Sequence, residues 1–298
     1  MKKQIKILSN LKNKKLLASY DYEMLCSLMF KAAKIANKTF SKFKWKRKRD
    51  KSLLTKADTE IELLFAKFCD HPDKGMFLIG EETIDSKGQE YVFSALKGKT
   101  WIIDPIDGTA PFACNLPTWG ISIAYAERGK IIEGAIFLPS IGEFYISFKG
   151  KNYYAEGVNL NDHILNFKEL TTKNANFANG ALISISQDIA KNGRFTLSNP
   201  VQAVCCTVFS ATGLLRERYA AYIGSMKLWD IAGALPMLIN AKFMLKNLKG
   251  EKISQKIEPK SCKIFSNNPL TKWRYDNNLI ICREEKIYNK IKKNIFQI

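Results

Sequence analysis

Histidine is almost missing from this chain, with two residues in 298. Imidazole catalysis and His-built metal sites therefore have little material to draw on. The seven cysteines (Cys26, Cys69, Cys114, Cys205, Cys206, Cys262 and Cys282) are odd in number, scattered, and without a C-x-x-C pair. That argues against a disulfide framework or a thiolate zinc site and fits reduced thiols. No uncharged apolar run approaches the ~18 residues of a membrane span. The opening MKKQIKILSNLKNKK has the basic end of a secretory leader but not the apolar stretch that must follow it. The expectation is a cytoplasmic protein with no membrane association.

What is present is ordinary globular material, 46% apolar and 25% charged, enough to bury a core without covalent staples. At roughly 150 residues per domain the length predicts one large domain or two small ones. Lys+Arg number 47 against 28 Asp+Glu, a net charge of +19. The excess is clustered at Lys2–Lys15, in KFKWKRKRDK from Lys42 to Lys51, and around Lys290, Lys292 and Lys293. Such a field concentrates anions, either a phosphorylated substrate or nucleic acid. Solvated basic faces account for it equally well, and one interleaved aromatic, Trp45, is weak support for base stacking.

Apolar residues at Met24, Leu25, Leu28, Met29, Ala32, Ile35, Ala36 and Phe40 have helical spacing over 19–43, with Ser19 or Asp21 as N-cap. Residues 44–51 read as a loop and 58–69 as a second helix. Strand-like runs follow at Met76–Ile79, Thr100–Ile103, Gly120–Ala126, Lys130–Leu138 and Glu143–Phe148. A polar stretch, Asn161–Asn179, precedes a strand at Ala181–Ser186, a helix within 203–218, a strand at Ala220–Ile223 and a helix beginning near Asp230. This order suggests two layered α/β subdomains, 1–155 and 156–298, with a site in the cleft between them.

The segment Thr100–Thr109, TWIIDPIDGT, carries the most chemistry. A buried-strand pattern ends in Asp104-Pro105-Ile106-Asp107-Gly108-Thr109, where Pro105 fixes φ and Gly108 permits a tight backbone. Two carboxylates three apart, with the Ile106 carbonyl between them, form an all-oxygen donor set suited to Mg²⁺. An acidic β-turn uses the same residue types. Glu81-Glu82-Thr83 follow a strand end, either at a ligand-bearing sheet rim or in a solvated turn. Asp58 reads as a helix cap. Asp230, beside Trp229, reads as a first-turn residue on a rigid element, fit to cap or to bind a metal.

Taken together, GEET at 80–83, WIIDPIDGT at 101–109 and WDIAG at 229–233, with Phe112, Pro117 and the strand Gly120–Tyr125, resemble the inositol monophosphatase family over about residues 20–250. That family comprises Mg²⁺-dependent, lithium-sensitive phosphomonoesterases. The resemblance implies a layered α-β-α-β-α sandwich, usually a homodimer. It implies that Glu81, Asp104 and the Ile106 carbonyl hold one Mg²⁺, and that Asp104, Asp107 and Asp230 hold a second. Thr109 and Asp58 would orient and activate water, with Glu81 near it, and the amides of Gly108 and Thr109 would face the phosphate.

The chain departs from the family pattern on the substrate side. Pro111 stands where the family usually has Asn, and Asn240-Ala241-Lys242-Phe243 replaces Glu-Ala-Gly-Gly. Cys205-Cys206 stands in place of a Gly-Ser pair, and Ile223-Gly224-Ser225 lacks the family's substrate-contacting carboxylate. The expected substrate is a small phosphorylated metabolite: an inositol, sugar or polyol phosphate. A 3′-phosphonucleotide and histidinol phosphate are the alternatives. Lys46, Arg47, Lys48, Arg49 and Lys51 are candidates for holding a second phosphate. A catalytically weak polyanion or nucleic-acid binder is the competing class, and it is disfavoured because carboxylates facing a polyanion gain it nothing.

Overall fold

The computed structural model describes residues 2–7, 16–40, 46–47, 53–162, 164–173, 177 and 180–297. Of the basic run 42–51, only Lys46 and Arg47 fall within the described residues, paired with Leu53–Leu54. The readings of Trp45, Lys48, Arg49 and Lys51 lie outside them.

Five layers stack. Helices Tyr22–Thr39 and Lys56–Cys69 cover one face of an eight-stranded sheet, burying Leu25, Met29, Ile61 and Phe65 against Trp101, Ile103 and Ile123. The opposite face, through Ile102, Ala124 and Ile136, packs on the helices Thr207–Leu215, Leu228–Ala232 and Leu235–Asn240. Trp101, Ile102 and Ile103 point alternately to the two faces, the period-2 alternation of a strand buried on both sides. A five-stranded sheet forms the fourth layer. Its outer face buries Ile183, Ile223 and Ile280 against Ile189, Ile287 and Ile291 of the outermost helices, Gln187–Asn192 and Glu285–Lys293.

Across the large sheet the strands run Lys2–Lys6, Ile164–Glu169, Lys151–Ala155, Glu143–Phe148, Lys130–Leu138, Gly120–Glu127, Lys99–Asp107 and Met76–Gly80. All neighbours are antiparallel except the last pair. The second sheet runs Val201–Gln202, Ile183–Ile185, Ala221–Gly224, Leu279–Cys282, Met244–Asn247.

Among the departures from the sequence reading, two lie at the margin of the large sheet. The basic opening forms an edge strand, Lys2–Lys6, that buries Ile5. Its partner, Ile164–Glu169, arises inside the stretch read as merely polar, where Leu165 and Phe167 alternate with exposed neighbours. Lys290, Lys292 and Lys293 occupy the last turn of Glu285–Lys293, where cations complement the helix dipole. Among the described residues no helix is long and apolar enough to cross a membrane.

Candidate active site

The strand Lys99–Asp107 runs on through the motif read as a turn. Its pairing with Gly120–Glu127 shifts register between Asp104, opposite Ser122, and Asp107, opposite Gly120. Pro105 has no N–H to give the ladder, so the irregularity falls there. In a regular strand, residues three apart point to opposite faces. The extra residue of the bulge restores them to one side, and both carboxylates line one cavity. Gly108 then adopts φ +87°, and a Cβ there would lie 2.8 Å from the Thr118 carbonyl oxygen. Only glycine turns the chain so tightly at this point.

Glu81 arrives on the neighbouring strand. Met76–Gly80 pairs in parallel with Lys99–Asp107, and the Glu81 N–H donates to the Ile103 carbonyl at 3.3 Å. Glu81 and Asp104 thus leave the carboxyl ends of adjacent parallel strands together, where open sheets place ligands. Asp230 comes from the opposite layer, on the short helix Leu228–Ala232, where its Oδ2 accepts the Lys227 N–H at 2.8 Å. Gly233 closes that helix against the sheet, and a Cβ there would lie 2.3 Å from Ser122 Oγ.

A cavity of about 180 Å³ is lined by Glu81, Asp104, Ile106, Asp107, Gly108, Thr109 and Asp230, together with Lys227 and Arg274. Thr109 Oγ1 donates to the Ile106 carbonyl at 3.1 Å. Asp58 does not line the cavity. Its Oδ2 accepts from the Thr55 N–H and hydroxyl at 2.8 and 2.6 Å, a capping box. Its charge still reaches Asp104. Of the sequence-predicted residues the fold therefore gathers seven around one space and sets Asp58 behind them.

Electrostatics shows how crowded this space is. Burial, and then the charges of Glu81, Asp107, Asp230 and Asp58, hold the Asp104 carboxyl well above the usual carboxylate range. Burial and Asp230 push Asp107 up to about 8, against the N–H donors of Val208 and Thr207. Burial and Glu81 raise Asp230 to about 6, against Lys227. Among the described residues no three or more His, Cys, Asp and Glu side chains form a ready-made metal cage. Asp107 Oδ2 is engaged by the Val208 N–H, Asp230 Oδ2 by Lys227, and Glu81 lies 3.6 Å from the Lys227 ammonium. The donor set nevertheless fits a hard cation. Asp104 Oδ1 is buried with no hydrogen-bond partner among the described residues, and every donor offered is oxygen.

A pH prediction follows for the metal-free protein. Between the ordinary unfolded aspartate pKa, about 3.9, and about 8 for folded Asp107, the folded chain binds more protons than the unfolded one. The stability this confers is fully present below the first value and is lost as pH rises through the second. Melting in EDTA should therefore occur at a lower temperature near pH 8 than near pH 5. Asp107→Asn should flatten that difference, and an unchanged pH profile in the variant would contradict the assignment.

Sequence reasoning missed three contributors. Glu62 is fully buried, and its carboxylate accepts the N–H of Glu82 at 2.8 Å, the N–H of Thr83 at 2.9 Å and the Thr83 hydroxyl. The available signal was a charge on the apolar face of the Ile61–Phe65 helix, four residues after Asp58. Lys227 and Arg274 bring cations to the cavity, and no local pattern marks either one.

A family model described as the inositol monophosphatase family matches residues 18–266. The chain belongs to the inositol monophosphatase family. Among curated members it is similar to a histidinol-phosphatase of Chlorobaculum parvum, 36% identical over 115 residues, 37% of this chain and 40% of that protein. The fructose-1,6-bisphosphatase/inositol-1-monophosphatase of Thermotoga maritima is 25% identical over 259 residues, 82% of this chain and 86% of that one. The inositol monophosphatase layering is shared with a solved IMPase/NADP phosphatase complexed with Mg²⁺ and phosphate, at TM-score 0.69 and 18% identity, covering 91% and 93% of the two chains.

Proposed function

We propose that this chain is a Mg²⁺-dependent phosphomonoesterase that hydrolyses a small phosphorylated metabolite. One observation carries the reading: the Asp104 carboxylate is buried without a donor on Oδ1 and lies in the field of four other carboxylates. That arrangement is costly unless a cation joins it. Glu81, Asp104 and the Ile106 carbonyl would hold one Mg²⁺; Asp104, Asp107 and Asp230 would hold a second. Bound there, the ions would supply charge neutralisation and an activated water. The chain's own part is positioning. Thr109 Oγ1, whose proton is directed at the Ile106 carbonyl, keeps a lone pair at the cavity wall to accept a hydrogen bond from the attacking water, and Asp58 behind Asp104 supports that end electrostatically. The amides of Gly108 and Thr109 begin a short helical turn without acceptors of their own in that turn, and they face the phosphate. Two histidines in the chain are no obstacle, because this chemistry uses no imidazole.

The family resemblance supports a homodimer and lithium sensitivity, and seven free thiols support a reducing, cytoplasmic setting. The activities of the relatives named above support sugar phosphates, polyol phosphates or histidinol phosphate as substrates, and the solved neighbour supports phosphonucleotides.

The test is a phosphate-release panel of inositol phosphate, hexose phosphates, 3′-phosphonucleotides and histidinol phosphate. Release should require Mg²⁺, stop in EDTA and fall with LiCl. No release from any ester, with RNA affinity that falls steeply with salt, would replace the enzyme with a polyanion binder.

A further inference from the structure

Arg274 enters the site from the segment between Met244–Asn247 and Leu279–Cys282, past the residues that match the family model. Its backbone is tied to the chain that leads into the Asp230 helix. The Leu228 N–H donates to the Trp273 carbonyl at 2.8 Å, the Tyr275 N–H donates to the Met226 carbonyl at 3.1 Å, and Arg274 bridges Lys227. Trp273 is buried against Trp229, ring centroids 5.8 Å apart, and holds φ +63°, a conformation a non-glycine keeps only under strong constraint. Arg274 is thus anchored to the same short segment as Asp230.

Its guanidinium lines the carboxylate cavity and also a wider neighbouring space of about 360 Å³, which shares Asp107, Gly108, Thr109 and Asp230 with it. That volume suits a hexose-sized metabolite. Nη1 donates to Ser225 Oγ at 2.8 Å and Nε reaches the Leu270 carbonyl at 3.4 Å. Among the described residues Arg274 is in no ion pair, and nothing accepts from Nη2. The wide cavity also contains Asp188, whose Oδ1 already accepts from Asn192. Apart from Asp107, Asp188, Asp230 and Arg274, the wide cavity's lining, including Ser186, Gln187 and Tyr222, is uncharged. A fixed guanidinium with an unused donor edge, on the wall common to the carboxylate cavity and the wider space, matches an oxyanion in geometry and charge.

We infer that Arg274 recognises a second oxyanion on the substrate, so that the preferred esters are those carrying another phosphate or carboxylate besides the one removed. This rests on the phosphatase reading above and adds to it the substrate class and the specificity-determining residue.

The experiment compares wild type, Arg274→Gln and Arg274→Lys on fructose 1,6-bisphosphate, adenosine 3′,5′-bisphosphate and a hexose monophosphate. Calorimetric titration of each ester with Ca²⁺ in place of Mg²⁺ supplies a readout free of turnover. Arg274→Gln should lower the preference for a bis-anionic ester over the monophosphate about tenfold or more. The loss should fall mainly in KM and be matched in the calorimetric affinity, with Lys restoring part of it. Whichever bisphosphate loses more identifies a sugar or a nucleoside as the carrier. Equal losses on the monophosphate would overturn the inference and make Arg274 a counter-ion of the carboxylates. If no ester were hydrolysed, the phosphatase reading would fail; the calorimetric arm would still decide Arg274, since an unchanged bisphosphate affinity in Arg274→Gln overturns its role.

Discussion

Asp104→Asn should lower phosphate release by about 10³-fold or more, the scale of losing a charge-stabilising group at a reacting centre, and yet raise the melting temperature of the metal-free protein. Both effects come from the same geometry. Asp104 is buried, one of its oxygens has no donor, and Glu81, Asp107, Asp230 and Asp58 all disfavour its charge. An amide removes the charge and gains N–H groups that the surrounding carboxylates can accept. Relieving an unsatisfied buried polar group is worth about 1–3 kcal/mol, and each kcal/mol moves the melting point of a chain this size by roughly 2–4 °C. Scanning calorimetry checks it twice: in EDTA the variant should melt above wild type, and Mg²⁺ should raise wild type much more than the variant. A variant that melts lower in EDTA would mean that Asp104 serves the fold and is not held ready for a cation.

Glu62 should behave in the opposite way. Its carboxylate satisfies two N–H groups and one hydroxyl of the Glu82-Thr83 turn. Glu62→Ala leaves these donors without their acceptor in a partly buried place, a cost of about 1–3 kcal/mol. The turn also carries Glu81, so Mg²⁺ affinity should fall together with stability. Glu62→Gln keeps an acceptor oxygen and should lose less on both counts. Gly80→Ala should resemble Glu62→Ala, since a Cβ there would sit 2.2 Å from the Glu62 carboxyl carbon. Urea denaturation and a Mg²⁺ titration followed by melting temperature measure the two losses. If Glu62→Ala unfolds at the wild-type urea concentration, the turn is held by something else.

How much of this was readable in the sequence depends on how local each determinant is. Asp21 caps its helix through the N–H groups of Glu23 and Met24, and capping chemistry is written within four residues. Pro105 and Gly108 likewise announced a backbone irregularity at the acidic motif. The bulge that turns Asp104 and Asp107 to one side depends on Ser122 and Gly120 of another strand, so the motif by itself reads as a turn after Ile103. The Lys2–Lys6 strand was missed for a stronger version of the same reason. Gln4 bonds Asn166, 162 positions away, and neither segment declares a strand without the other. Glu62 carries a signal, a charge on an apolar helical face, but nothing local ties it to the Glu82-Thr83 turn it holds. Arg274 had none, because its place is decided by Trp273 packing on Trp229 across the fold.

The opening strand bears on how the large sheet meets its neighbours edge to edge. A sheet margin left bare presents a row of unpaired amides and carbonyls that a neighbouring chain can extend. Lys2–Lys6 occupies one margin next to Ile164–Glu169. At the other, the Tyr91 hydroxyl bonds both the N–H and the carbonyl of Leu78 at 2.8 and 3.0 Å. The sheet thus ends on one side in a strand rich in lysine, a charge that disfavours further pairing, and on the other in a strand whose Leu78 amide and carbonyl are already engaged by a phenol.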